Sequence, residues 1–471
     1  MNWTHRQPDD VIASKLRARQ RELEAEHGLD PTAISHYHRS PDYAFAYDPK
    51  YKSIQEQRDN TVLLFGGLTR KHEHLLEGAV RGLGYQCQAL PTPDLEAFNL
   101  GKEYGNNGFC NPAYFTGGNV IKYLLELEAG GLSKDEIVEK YAFLTAGYCG
   151  PCRFGLYEGE LRLALRNAGF EGFRVELIKI TGGLDQSAAG AVVDMNLDFF
   201  LAIINALLIG DVIRQIRYQV RPYELSSGAT DQALEEALDY LHDVLRYKQP
   251  YELSPVWKRL LRHSNLEKKV AFLGRFLHLL RTSYYPEALS TVRKKFDQIA
   301  IDPFRVCPIV KIVGEFSAAT AEGDMNFKMF EFLEQEGAEV LVDPSVSTQL
   351  MFPLFRYKHK ILIDRRKVHP NGEKPPAWRP DQRLRRYLRY LKKVAILTLA
   401  ERLYARQCSR YQHAFGDILH GLADIHTLAE MTEMIYNWRC GAGEGHLEIG
   451  KNIYYHTHDY CHMVLSLKPF G

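Results

Sequence analysis

The chain has no evident route out of the cell or into a bilayer. Its opening MNWTHRQPDDVIASKLRARQ lacks the short apolar core and small-residue cleavage site of a secretory signal, so a cytoplasmic protein is expected. The most apolar run, Phe199 to Ile213, is too short for a span and is bracketed by Asp198 and Asp211, which predicts a buried helix. Cysteine is sparse, at eight in 471 residues. Without export this excludes a disulfide framework and leaves thiols for packing, metal or redox work. There is no repeat of solenoid length and no low-complexity tract. The formal net charge is only +1, which places nucleic acid last among partners. A complete P-loop is missing as well. GHLEIGKN, Gly445 to Asn452, puts Asn452 where a magnesium-binding hydroxyl is needed, and no strand precedes it, so a turn is expected there.

What is present is ordinary globular composition, 45% hydrophobic and 25% charged, enough for two or three cored domains. Residues 8–28 read as a charged helix with acids at its start and Gly28 at its end, and 29–60 as irregular, together an N-terminal arm over 1–60. Residues 61–190 alternate short apolar runs with amphipathic segments: TVLLFGG, a helix to Gly84, QCQAL, a helix from about Pro112, YAFLTAG, a helix from about Arg153, and FRVELIKI. Such alternation predicts an α/β domain with a mostly parallel sheet. Residues 191–305 carry helical periodicity, read as a helical insert, and 306–471 return to α/β with PIVKIVGEF, AEVLVDP and a final HMVLSLKPF.

The most informative run is YAFLTAGYCGPCRFGLYEGELRLALRNAG. It places Cys149 and Cys152 between a strand and a helix, where open α/β sheets bind ligands and a helix N-terminus favours thiolates. Cys110 repeats the placement, ahead of Asn111, a candidate N-cap, and Pro112. Three such thiols suit an iron-sulfur cluster with one open iron position, with the four-iron type as the leading form, whereas structural zinc favours four protein ligands. Two alternatives stand beside it: a redox dithiol, since CGPC is also a thioredoxin-like active-site sequence, and cysteines that serve only packing or loops.

Cys307, just ahead of PIVKIVGEF, is a reserve ligand, while Cys87, Cys408 and Cys440 read as packing or isolated thiols. The run His456 to His462 has metal-ligand residue types on a strand-like segment whose alternate residues point apart. Gly314, Glu315, Phe316, Gly323, Asp324 and Asn326 follow a strand, as either a ligand loop or helix-cap chemistry. Residues 351–395 hold 14 Lys or Arg against three acids. Within them WRPDQRLRRYLRYLKKV predicts an amphipathic helix with Leu384, Leu388 and Leu391 inward and Arg383, Arg386, Arg389 and Lys393 outward. That helix is a solvated face, or a dock for CoA phosphates or an acidic partner.

CGPCRFGLY, RPYELSSGATD, KIVGEFSAATAEGDMNFKMFEFLEQEGAEV, and GAGEGHLEIGK followed by LKPFG occur in order and resemble the activase-related proteins of 2-hydroxyacyl-CoA dehydratases, over roughly residues 60–471. The resemblance implies two Rossmann-like, dehydratase-subunit-like parallel-sheet domains. It implies an oxygen-sensitive iron-sulfur protein of anaerobes with Cys110, Cys149 and Cys152 as cluster cysteines. It also implies a separate ATP-dependent activase or electron donor, a CoA thioester as substrate, and a homo- or hetero-dimer. The ATPase domain of the longer relatives is absent. In the family a Cys-Met-Pro motif follows the terminal PFG, so an incomplete chain is expected after Gly471, for example at a selenocysteine codon read as stop.

Overall fold

The computed structural model describes residues 59–147, 153–179, 192–248, 266–363, 380–416, 418–437 and 444–469, with a few isolated positions outside these ranges. Met1–Ala46 and Tyr47–Gly471 are separate compact units. In the first, Ala18, Arg19, Glu22, Ala25 and Glu26 are helical and exposed, with Arg19 and Glu22 paired at 3.0 Å one turn apart.

The second unit is α/β with two small parallel sheets and a majority of helix. The first sheet holds β1 (Val62–Phe65), β2 (Gln86–Ala89), β3 (Tyr141–Gly147) and β4 (Arg174–Lys179) in the order β2-β1-β3-β4. Its inner strands are unbroken apolar runs, with Leu63, Leu64, Ala142 and Phe143 buried, because helices cover both faces of a parallel sheet. The second sheet, β5 (Ile309–Gly314), β6 (Glu339–Leu341) and β7 (Met463–Leu467), has the order β6-β5-β7 and is also parallel.

Helix Asn111–Ala129 brings Val120, Ile121 and Leu124 onto the first sheet, where they meet Leu64, Phe143, Leu161 and Leu165. Against its other side lies helix Leu95–Tyr104 at backbone contact: a Cβ on Gly118 would fall 1.7 Å from the Ala97 carbonyl oxygen, and one on Gly101 2.0 Å from that of Tyr114. Two glycines at the crossing therefore set the position of the helix that Cys110 begins.

Helix Leu197–Val220 is longer than the apolar run that announced it. With its 3-10 extension to Tyr223 it is long and apolar enough to cross a membrane by length and composition, yet 78% of its apolar window is buried inside the protein. It serves as a central rod. Asp211, at 1% exposure, accepts from the backbone N–H and Oγ of Ser347, both at 2.7 Å, and lies 3.4 Å from His72 Nε2. Gly210 makes room for that imidazole, since a Cβ there would sit 2.4 Å from His72 Cδ2. Beside it, Lys71 pairs with Glu322 at 2.7 Å and Tyr218 donates to the same carboxylate at 3.0 Å. Burial opposes the Glu322 charge, but Lys71, Arg214 and Arg217 outweigh it and bring its pKa down to about 2.

Among the described residues three further helices, Ala229–Arg246, Leu266–Arg281 and Tyr284–Phe296, separate the sheets in sequence. After β6, helices Ser345–Ile363, Pro380–His413, Ile425–Thr432 and Gly445–Thr457 complete the unit. Met351, Phe352, Phe355, Leu428 and Leu447 form their shared core.

His446 borders that core with its ring centroid 4.7 Å from Phe352. Burial, with Arg356 and His359 adding to it, brings its pKa down to about 4. A histidine depressed in this way leaves the unfolded chain binding the extra proton between about pH 6.5 and 4, so its stabilisation is lost as pH falls through that window. The full shift corresponds to about 3 kcal/mol. In His446→Phe the fall in melting temperature between pH 7 and 4.5 should be clearly smaller than in the wild type. Identical pH profiles would show that His446 does not report the acid transition.

Candidate functional site at the ends of the first sheet

In the order β2-β1-β3-β4 the chain leaves β1 to one side for β2 and then returns to the other for β3. The crevice at the C-terminal ends of β1 and β3 is therefore the switch point where open α/β sheets bind ligands. The loop after β1 is Gly66-Gly67-Leu68-Thr69, and Thr69 caps helix Arg70–Gly82. Gly67, at φ +97°, stands where a Cβ would lie 2.9 Å from Thr116 Cγ2, so the first turns of helix Asn111–Ala129 flank the crevice.

Cys110 is the N-cap of that helix in extended geometry, with φ −69° and ψ 145°, and Asn111 lies inside the first turn. This corrects the expectation that Asn111 is the cap. The Asn111 N–H donates to the carbonyl of Pro469 at 3.0 Å, so a distant segment satisfies one of the free donors at the helix start. Cys110 is buried at 6% exposure, unbridged, and makes no side-chain cap bond. The helix offers it few free donors: the Asn111 N–H is taken, Pro112 has none, and the Ala113 N–H returns to the Cys110 carbonyl at 3.0 Å. What remains for a thiolate is the favourable end of the macrodipole.

Cys149 and Cys152 lie outside the described residues, but the chain on both sides of them is placed. Arg153, the residue after Cys152, donates from Nη1 to the carbonyl of Gly108 at 2.8 Å, two residues before Cys110. A second tie is independent. Asn106 Nδ2 donates at 2.9 Å to Glu160, on the helix Tyr157–Asn167 that follows Arg153, and the Asn106 N–H donates to the same carboxylate. Tyr114 secures the loop internally, accepting from the Phe109 N–H at 3.0 Å and donating to the Asn106 carbonyl at 2.8 Å. Gly108, at φ +82°, permits the turn. The loop carrying Cys110 and the segment emerging from Cys152 are thus fastened together at two points.

Among the described residues no three His, Cys, Asp or Glu side chains gather into a metal-holding group. A cluster at this crevice would therefore combine the uncommitted thiol of Cys110 with Cys149 and Cys152. The remaining described cysteines are elsewhere. Cys87 on β2 and Cys408 are buried, and burial pushes each thiol up to about 12. Cys307 is excluded from the crevice by topology: it precedes β5 and lies beside Tyr223 and Glu339, whereas Pro469 lies beyond the opposite end, where Gly314 pairs with Leu467. The strand between puts roughly 20 Å between those ends. Cys440 is outside the described residues.

The second sheet has its own cleft past the end of β5, lined by Gly314, Phe316, Thr320, Ser345, Gln349, Glu444 and Lys451 among others. Its volume is about 40 Å³, room for a few waters. Glu315 caps the short helix after β5, accepting from the Ala318 N–H at 3.0 Å, and Asp324 accepts from the Leu95 N–H at 3.1 Å. Asn326 is fully buried. Glu315 and Asp324 thus act at helix starts, while neither amide atom of Asn326 has a hydrogen-bond partner among the described residues. Two expectations for the C-terminal part are corrected here. Gly445–Thr457 is a helix, with Glu444 as its N-cap residue, so GHLEIGKN is no turn. His456 and Thr457 end that helix, and His462 accepts the Ile309 N–H through Nδ1 at 2.9 Å, so the histidine run is not one strand.

Lys451, the near-match lysine, lies 2.6 Å from Asp343, which also accepts from Lys311 at 2.6 Å and from Ser345 Oγ at 2.7 Å. This buried trio was hinted at by one feature only, a lysine in the middle of the apolar run PIVKIVGEF. Arg153 and Glu160, which fasten the crevice, carry no such sequence signal.

No protein-family model, curated protein or solved structure matches the chain.

Proposed function

We propose that Cys110, Cys149 and Cys152 hold an iron-sulfur cluster, of the four-iron type, in the crevice at the ends of β1 and β3. The observation that carries this reading is the double fastening of the Cys110 loop to the chain following Cys152, through Arg153 to Gly108 and through Glu160 to Asn106. A cluster bound there supplies one-electron chemistry at low potential and an iron position left open by three protein ligands. The protein would use it in electron transfer or in reductive or dehydration chemistry on a CoA thioester, in the manner of 2-hydroxyacyl-CoA dehydratases and their activase-related components. A separate ATP-dependent activase or electron donor would deliver the electrons, since Lys451 is committed to Asp343 and lies on a helix, not in a phosphate loop. The strand order β2-β1-β3-β4 supports reading the first sheet as Rossmann-like, and the burial of the long apolar helix supports reading it as a core helix.

The test is anaerobic reconstitution followed by iron and acid-labile sulfide assay. The wild type should bind both, and Cys110→Ser, Cys149→Ser and Cys152→Ser should each reduce both to a minor fraction. Stoichiometric zinc without sulfide would overturn the reading. So would a reversible Cys149–Cys152 disulfide that forms equally well in Cys110→Ser without iron, which would leave a thiol-disulfide oxidoreductase in its place.

A further inference from the structure

Helix Pro380–His413 corrects the simple amphipathic reading of its sequence, because its leucines face solvent: Leu384 is 59% exposed, Leu388 55% and Leu399 57%, with Leu391 also exposed. The helix packs on the body through a different face. Val394 and Leu397 are half-buried, Tyr404 donates to the Ser347 carbonyl at 2.9 Å, and Cys408 and Tyr411 are buried. Arg410 adds bonds to the carbonyls of Leu280 and Thr282 at 2.6 and 2.7 Å. The C-terminal half is thus anchored, and a second apolar stripe is held outward.

That stripe is Leu384, Leu388, Leu391, Ala395 and Leu399, at intervals of four, three, four and four residues. This is the spacing with which one helix packs along another, and it extends over roughly 23 Å. Arg385 and Lys392 are exposed on one flank and Arg383 on the other, while the same line continues into exposed Arg402 and Arg406. A second copy of the helix would face these cations with its own. An anionic bilayer would meet the flanks well but would have Arg402 and Arg406 directed at its acyl chains. An amphipathic helix with leucine-like core residues and carboxylates on its flanks and at one end complements every position.

We propose that the outward stripe of helix Pro380–His413 is the docking surface for an acidic amphipathic helix of a partner protein. The proposal is independent of the cluster. It is tested on the full chain with a synthetic four-heptad peptide bearing Leu at core positions and Glu on both flanks, read by fluorescence anisotropy at low and high salt. The Glu-flanked peptide should bind, and a Lys-flanked control should not. Leu388→Glu with Leu391→Glu should weaken binding at least tenfold, and added salt should weaken it in the wild type. Arg385→Glu with Lys392→Glu, a purely surface change, should lose the Glu-flanked peptide and gain the Lys-flanked one. Equal binding of both peptides would overturn the proposal. So would no peptide binding together with either concentration-dependent dimerisation in sedimentation or adsorption to phosphatidylserine vesicles, each abolished by the leucine changes.

Discussion

Asp343→Asn should lower stability by about 4 kcal/mol. Asp343 and Lys311 are each 2% exposed, and Lys451 approaches the same carboxylate from helix Gly445–Thr457. Burial alone would favour neutral groups. It takes Lys311 down to about 8, while the two ammonium groups override it at Asp343 and hold that carboxyl well below the usual carboxylate range. Removing the anion leaves two cations sharing a dry site with no counter-charge, so the loss exceeds that of a single hydrogen bond. Because this carboxylate's charge ties β5 and helix Gly445–Thr457 to the end of β6, the second sheet should loosen first. Lys451→Met should cost much less, since Lys451 keeps 12% of its side chain in solvent and Lys311 remains paired. Urea and thermal midpoints measure both. A mutant Asp343→Asn that melts within a degree of the wild type would remove the trio from the account of the fold.

The second large effect concerns the helix that bears Cys110. Gly118→Val should cost about 3 kcal/mol, at the upper end of what overpacking does, because every atom its Cβ meets is backbone. That Cβ would lie 1.7 Å from the Ala97 carbonyl oxygen and 2.5 Å from the Gly101 nitrogen, and no side chain can swing aside to relieve it. The helices Leu95–Tyr104 and Asn111–Ala129 must part, and Cys110 moves with the second of them. Gly117→Ala, one position away, meets only Leu161 Cδ1 at 3.9 Å. It should be neutral or stabilising by up to about 1 kcal/mol through helix propensity. If both substitutions shift the melting temperature equally, the close crossing is not what positions the helix. On the cluster reading, reconstituted iron should fall in Gly118→Val and stay unchanged in Gly117→Ala.

The inner strands β1, β3 and β5 were legible because each buries both faces, and burial of both faces leaves an apolar run bounded by turn residues. YAFLTAG is β3 residue for residue, and TVLLFGG, QCQAL, FRVELIKI and PIVKIVGEF each contain a strand of the sheets. Legibility failed where an amphipathic pattern had two readings. The periodicity of residues 380–399 fixed a helix but not which face meets the body, since Tyr390, Val394 and Leu397 compete with Leu384, Leu388 and Leu391 for that role. GHLEIGKN reads as a turn once its P-loop match fails, and Gly445 and Gly450 lower helix propensity, but tertiary packing overrode them: Gly450 lets the helix approach Leu428, where a Cβ would meet its side chain at 2.9 Å.

The candidate site divides the same way. That Cys110 stands at a helix start, and that a strand ends just before Cys149, follows from Pro112, from Gly147 and from local patterning, which depend on neighbours in sequence alone. That the Cys110 loop meets the segment after Cys152 depends on Arg153 reaching Gly108 across 45 residues and on Glu160 reaching Asn106 across 54, and no local rule contains those distances. The approach of Pro469 to Asn111 is more remote still. The sequence by itself determined most of the element types and the parallel α/β class, because propensity, periodicity and burial on two faces are written along the chain. Only the tertiary structure decided which helix face was left outward, which buried charges found partners, and which chain segments came together, because those outcomes minimise unpaired charge and exposed surface over the whole molecule and not over any stretch of it.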